Sequence, residues 1–575
     1  MINEYTKNCI REALQKTSPV GDVDFGVEHP RDREHGDFST NIAMILAKQL
    51  KKAPFDIAKG LVPEIQAADS KKYFSEVVAV KPGFINIKLS PIFLSENLAS
   101  ILRDKEDFGK SDQGKNKKIV LEYSGLNTNK PMHIGHFRND VTGMAVRNIL
   151  EALGYKVILT TIWNDRGRHI CKGLLMYQKY GDNQTPEDAK MKPDHFVGKF
   201  YAMYWQEEQK NPELEEEVSE MLRQWEAGDV EIHELWKKMN AWQYAGAQET
   251  FQREGSVFDD EQRESDMYKK GKDIVEKYVA EGKLTKKPDG SVVADLTKYG
   301  LDEKIVLRSD GTSVYITQDI YLGEYRENKY HPDRLLYCVD VRQAYHFKAL
   351  FAIYDLIGYA FAKKSHHLGY GFVSLKEGQM SSREGNVVTT DDFLDEMHDR
   401  AKQVMSESKV RVDKANEDEI AEQIALGAAK YGMLNYELKH NIVFEPDKTI
   451  RFTGHTGPYL QYTYARIQGI MRKSDHDFHK DFDIGQLAPE EESLLRQLYL
   501  LPEIIAAAAR TYEPHLLTSY LYELAQAYNS FYNNVPVLKA KSESERNFRL
   551  GLSSATAQVL KNGLRLLGIA TPERM

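Results

Sequence analysis

The chain has 575 residues, with 77 Lys and Arg against 86 Asp and Glu and a formal charge of -9. That length allows roughly three or four domains, and that charge excludes a global positive field for indiscriminate nucleic-acid binding. A mean hydropathy of -0.54, the lack of an apolar run near about twenty residues, and a polar, mixed-charge start argue against a membrane span or a signal peptide. Cys9, Cys171 and Cys338 are too scattered for a disulfide framework or a four-cysteine zinc site, so a reducing cytoplasm and no protein-bound metal are expected.

In chain order, helical patterns at residues 3 to 16 and 40 to 51 alternate with strand-like runs at Val77 to Val80 and Phe84 to Leu89. This predicts a small α+β module over residues 1–110, with the charged stretch Arg103 to Lys118 as a linker. Next comes a βαβ pattern: a strand over Lys118 to Tyr123, a helix with Val146, Ile149, Leu150 and Leu153 on one face, a stop at Gly154, and a second strand over Lys156 to Trp163. Long charged helices with Trp205, Trp225, Trp236 and Trp242 then read as an insertion at about 169–300. The sheet pattern returns at Ile305 to Leu307, Ser313 to Thr317 and Arg334 to Val339, and beyond Met397 the pattern is helical. The expected fold is therefore a Rossmann-like parallel-sheet α/β domain over 111–450, followed by an all-α domain over 451–575. Two basic clusters, Lys48/Lys51/Lys52 and Lys539/Lys541/Arg546/Arg549, could meet a folded RNA, although solvated faces explain each equally well.

Two short motifs carry the chemistry: Lys130-Pro-Met-His-Ile-Gly-His136 and Gln379-Met-Ser-Ser-Arg-Glu-Gly385. The first falls between the first strand and its helix, where ligands sit and helix N–H groups hold phosphate. His133 and His136 are one helical turn apart there, with Gly135 between them to let a nucleotide approach. An isolated His-x-x-His is more often a surface or capping pair, and a zinc protease motif would need i,i+4 spacing and an intervening Glu. The presence of the second motif shifts the balance toward nucleotide chemistry.

Together the motifs resemble the "HIGH" and "KMSKS" signatures of class I aminoacyl-tRNA synthetases. That resemblance implies ATP, with Mg2+ held through its phosphates, and adenylate formation at His133, Gly135, His136, Met380, Ser381, Ser382 and Arg383. HIGH is complete. In the second motif Gln379 and Ser382 stand where lysines belong, and a Lys just upstream of HIGH is what arginyl-tRNA synthetases carry when the second loop lysine is missing. Lys130 is then the replacement cation, beside Arg383.

The arginyl family resemblance implies further roles. Glu122 and Asn127, in Glu122-Tyr-Ser-Gly-Leu-Asn127, match positions that hold the substrate's α-amino group, although Gly125-Leu126 departs from the usual Ser-Pro. Tyr315 and Asp319 match the guanidinium site, with Gln343 as a polar contact and His346 as a structural neighbour. A planar cation with several donors suits a carboxylate fork with an aromatic beside it. Asn164, Asp165 and Gly167 resemble another family motif, with His169 where many members have Gln.

His35-Gly-Asp-Phe-Ser-Thr-Asn41 and Pro82-Gly-Phe-Ile-Asn-Ile87 are similar to the family's N-terminal domain. There Phe84 and Asn86 would meet the tRNA D-loop, whereas the residues alone make Phe84 a buried strand residue. The segments starting at Phe452 and Leu521 resemble the anticodon-binding helical domain. The resemblance thus implies a monomeric cytoplasmic arginine–tRNA ligase with L-arginine and tRNA-Arg as partners, tRNA-dependent activation, and transfer to the 2′-hydroxyl of the terminal adenosine. Another class I synthetase, or a non-catalytic tRNA-binding relative, remains the alternative.

Overall fold

The computed structural model describes residues 1–17, 23–376, 388–407, 414–474, 482, 484 and 486–575. Among the described residues the central sheet has six strands, and every pairing in it is parallel. From one edge the order is Ser365–Tyr370, Arg334–Asp340, Lys118–Glu122, Lys156–Asn164, then Leu126–Asn127, with Asp260–Arg263 also pairing Lys156–Asn164. The strands are apolar on both faces, as a sheet covered by helices on both sides requires. Ile119, Leu121, Leu336 and Cys338 belong to one core, and Val120, Ile158, Leu335 and Tyr337 to the other. Helix Ile134–Ala152 covers the first face; helices Glu264–Ala280, Tyr315–Tyr330 and Ala344–Ile357 cover the second.

Two elements differ from expectation. Lys304–Leu307 is a strand, but of a separate antiparallel three-stranded sheet with Val292–Ala294 and Thr285–Lys286. The β-branched run Ser313 to Thr317 is not a strand through Tyr315: Val314 caps helix Tyr315–Tyr330, and the Thr317 hydroxyl accepts the Val314 N–H at 3.0 Å. A side-chain bond at the helix start outweighs the β preference of Val, Tyr and Ile there.

The N-terminal module has helices Ile2–Thr17, Ile42–Leu50, Pro54–Ala68 and Pro91–Asp104 on an antiparallel sheet ordered Phe38–Thr40, Phe84–Leu89, Phe74–Val80. Arg103 to Lys118 is not a free linker. Its first residues finish a helix, and Asn562 Nδ2 donates to the carbonyls of Lys105 (2.8 Å) and Phe108 (3.1 Å). Charged side chains signalled solvent correctly, but the backbone beneath them is pinned to the C-terminal helices. Those helices are Gly457–Lys473, Pro489–Leu498, Leu501–Thr511, His515–Asn534 and Glu543–Leu566. They meet the N-terminal module through the buried Asp37–Arg496 ion pair and His29–Glu503 at 2.9 Å. No helix among the described residues is long and apolar enough to cross a membrane.

Candidate active site

The first motif opens helix Ile134–Ala152, at the carboxyl end of strand Lys118–Glu122. His133 is the N-cap: its Nδ1 accepts the Gly135 N–H at 3.1 Å, while His136 Nδ1 accepts the His133 N–H at 3.0 Å. The two rings stack with centroids 3.8 Å apart. The pair is thus a capping pair, and the capping has a chemical consequence. An Nδ1 that accepts a backbone proton leaves the ring hydrogen on Nε2, so each imidazole presents one Nε2–H donor outward. Burial, reinforced by the Lys130 charge, lowers His133 to about 4 and His136 well below the ordinary histidine range. Both rings are therefore neutral donors at pH 7. At Gly135 a Cβ would lie 2.9 Å from His133 Cε1, so the glycine also makes room for the capping imidazole.

Lys130 lies half-buried before Pro131, and burial pulls its ammonium below the usual lysine range. Among the described residues no carboxylate pairs with it. Its charge falls on His133, His136 and His169. Gln379, Met380, Ser381, Ser382 and Arg383 lie outside the described residues, but the flanks of that segment reach the first motif. Thr390 N–H donates to Met132 O at 2.9 Å, and Thr389 bridges to His133. On the other side Arg138, 1% exposed, donates to four backbone carbonyls, those of Gly371, Phe372, Leu438 and His440.

Beside this edge several carboxylates lie near one another, Asp319 acting electrostatically on both Glu122 and Glu264. Asp319 lies in the second turn of helix Tyr315–Tyr330, with Oδ2 2.7 Å from His346 Nε2. Tyr315, at the helix start, is 66% exposed, and burial of its hydroxyl together with the Glu264 charge raises its pKa. Glu122 is buried against Arg326, which also donates to Gln262 Oε1 at 2.7 Å. Burial raises the Glu122 carboxyl even against the Arg326 charge, and Asp319 adds to the rise. Asn127 is half-buried at the end of its short strand, and Gln343 is an exposed N-cap of helix Ala344–Ile357. Asp165 is a joint to the insertion, accepting from Ser265 N (2.8 Å), Ser265 Oγ (2.7 Å) and Tyr244 OH (3.1 Å).

Three family models match the chain: the arginyl tRNA synthetase N-terminal domain at residues 4–89, the catalytic domain of class I (R) tRNA synthetases at 97–445, and the DALR anticodon binding domain at 460–575. The chain belongs to the arginyl-tRNA synthetase family. It is 39% identical over 566 residues to the arginine–tRNA ligase of Porphyromonas gingivalis, covering 94% of each chain. To the arginine–tRNA ligase of Treponema denticola it is 39% identical over 559 residues, covering 96% of this chain and 94% of that one. Thermus thermophilus arginyl-tRNA synthetase superposes with a TM-score of 0.85 at 28% identity over 100% of both chains. The arginyl-tRNA synthetase of Plasmodium falciparum has the same fold, with a TM-score of 0.81 at 21% identity over 100% of this chain and 99% of that one.

Within this arginyl-tRNA synthetase scaffold, sequence reasoning missed Glu264. It starts helix Glu264–Ala280, is 6% exposed, and receives Gln318 Nε2 on Oε1 at 2.8 Å, while its Oε2 is buried without a hydrogen bond. Burial lifts it to about 7, with Asp165 and Asp319 adding and Arg166 subtracting. A Glu at the start of a charged helix is ordinary in sequence, so nothing there marked it. The N-terminal residues divide. Phe84 is 38% exposed, against the buried position its strand pattern suggested, whereas Asn86 is 6% exposed and its Oδ1 accepts from Ser39 Oγ at 2.8 Å. Asp194, His195 and Asp391 converge like metal ligands, but the Lys192 ammonium sits among them, 2.7 Å from Asp391 Oδ2.

Proposed function

We propose that the protein condenses L-arginine with ATP to arginyl-adenylate and transfers the arginyl group to the terminal adenosine of tRNA-Arg, as a cytoplasmic monomer divided at residues 1–110, 111–450 and 451–575. The arginine carboxylate attacks the α-phosphorus of ATP and pyrophosphate leaves, so the enzyme supplies position and charge rather than a nucleophile. His133 and His136 donate Nε2–H groups to phosphate oxygens without a proton having to move. Lys130 delivers a cation to the leaving phosphates, where both lysines of the second signature are absent, and Met380, Ser381, Ser382 and Arg383 act on the same phosphates. Mg2+ would be held through the ATP phosphates, with no protein ligand assigned to it, and would supply neutralising charge to the leaving pyrophosphate.

Asp319, Tyr315 and the free Oε2 of Glu264, whose Oε1 holds Gln318 and Arg166, receive the guanidinium, Gln343 adds a polar contact, and Glu122 with Asn127 faces the α-amino end. Phe84 stacks on an unpaired base of the tRNA. The single observation that carries this reading is the half-buried Lys130 ammonium, with no carboxylate partner among the described residues, beside two imidazoles fixed as neutral donors. Pyrophosphate exchange tested with every standard amino acid, with and without tRNA, checks it. Exchange should appear with arginine alone and only when tRNA-Arg is present. Exchange with another amino acid would overturn the substrate assignment.

A further inference from the structure

Lys130 sits in a turn with no regular structure of its own, so something outside the turn must fix where its ammonium stands. Two helices of the insertion press on it. Gly198, in helix Pro193–Glu208, faces the turn directly: a Cβ there would come 2.6 Å from Pro131 Cδ and 3.5 Å from Lys130 Cα. Glycine inside a helix is worse than alanine by about 1 kcal/mol, so the close approach gives this position its reason. From helix Val230–Glu254, Gln243 is 1% exposed and donates Nε2–H to the Lys130 carbonyl at 2.9 Å. The same two helices hold the far flank of the second signature. Lys192, at the N-cap of helix Pro193–Glu208, lies 2.7 Å from Asp391 Oδ2, and Thr250, in helix Val230–Glu254, bonds Asp391 Oδ1 at 3.1 Å.

We propose that Gly198 and Gln243 are positioning residues for the activation step: the insertion sets the place of the Lys130 ammonium by clamping the Lys130–Pro131 turn from two helices. The inference rests on the reading of Lys130 given above. Neither residue touches substrate, and both act on the rate through one side chain. The insertion is then part of the catalytic register, and its packing substitutes for a lysine that the second signature does not carry.

The test is a set of coupled variants assayed by arginine-dependent pyrophosphate exchange in the presence of tRNA. Gly198→Ala and Gln243→Leu should each lower kcat about 10-fold or more and leave the KM for arginine within about twofold, because a displacement near 1 Å of a phosphate-facing cation costs rate. In the Lys130→Ala background each should lower kcat by less than about twofold, because the group they position is gone. Single variants with wild-type kcat overturn the inference. So do single-variant losses that recur in full without Lys130, since the residues would then act elsewhere. Lys130→Ala with wild-type kcat refutes the reading of Lys130 itself and is seen in that variant alone. Gln243→Leu carries the test if Gly198→Ala does not fold.

Discussion

Replacing Glu264 by Gln tests the arginine pocket through a pH signature as well as an affinity. The carboxyl is lifted to about 7 by burial, Oε2 has no hydrogen bond, and the side chain is 8% exposed. At pH 6 only about a tenth of the free protein carries the charge, and at pH 8 about nine tenths does. A guanidinium favours the ionised form, so arginine binding should draw the proton off, and the Kd for arginine should tighten roughly tenfold from pH 6 to pH 8. Glu264→Gln keeps the shape and removes the charge. The loss of one hydrogen bond to a charged group is about 1.5–3 kcal/mol, or roughly 10–150-fold in Kd at pH 8.

Isothermal titration of arginine into the enzyme, in two buffers of different ionisation enthalpy, reads both quantities. Below pH 7 the wild type should release close to one proton per arginine bound, and Glu264→Gln should release much less. The same linkage applies to stability. The folded carboxyl holds its proton more tightly than the unfolded one, so Glu264 lowers stability as pH rises from about 4.5 to about 7. An unchanged Kd at pH 8, or the same pH slope in both proteins, would remove Glu264 from the pocket.

Four further outcomes follow. Lys130→Ala should lower kcat roughly 10²–10³-fold with a much smaller rise in the KM for ATP, and Lys at position 382 should restore part of the rate; normal kcat with a collapsed Arg383→Ala would assign the charge to Arg383 instead. Arg138→Met takes the guanidinium from four backbone carbonyls, of which those of Phe372 and Leu438 keep the N–H of Ile442 and of Gly371, and should cost about 1–3 kcal/mol, seen as an earlier unfolding transition in urea; a transition at the wild-type midpoint contradicts it. His195 is held above its ordinary 6.5 chiefly by Asp391, so its contribution is complete below pH 6.5 and fades as pH rises through the raised value. His195→Asn should therefore lower Tm more at pH 6 than at pH 9, and an equal drop at both would count against the pairing. Phe84→Ala should raise the KM for tRNA without changing Tm, by the loss of about 1–3 kcal/mol of base stacking, whereas Asn86→Ala should lower Tm because Asn86 is bonded inside the module; a stability loss for Phe84→Ala would make it a core residue after all.

The sequence by itself determined the family and the layer order. A helix start carrying His133 and His136 after an apolar strand, and a helical C-terminus, follow from local periodicity and from short motifs whose residues must be adjacent to work. It also showed that Lys130 has a deficit to fill, because Gln379 and Ser382 are legible without coordinates. Tertiary structure decided which charges were already spent. Glu122 and Glu264 are both Glu in sequence, but packing sets Glu122 in close contact with the buried Arg326, whereas Glu264 has Gln318 on one oxygen and Arg166 only at 3.9 Å. It decided that Tyr315 begins a helix, because the Thr317 hydroxyl captures the N–H of Val314. It also separated Phe84 from Asn86, which lie two positions apart and so share one face of the strand: Asn86 has a strand on either side, opposite Ser39 and Val78, whereas Phe84, at the strand's start, faces only Val80. Burial and pairing depend on residues hundreds of positions away, and a local pattern carries no record of them.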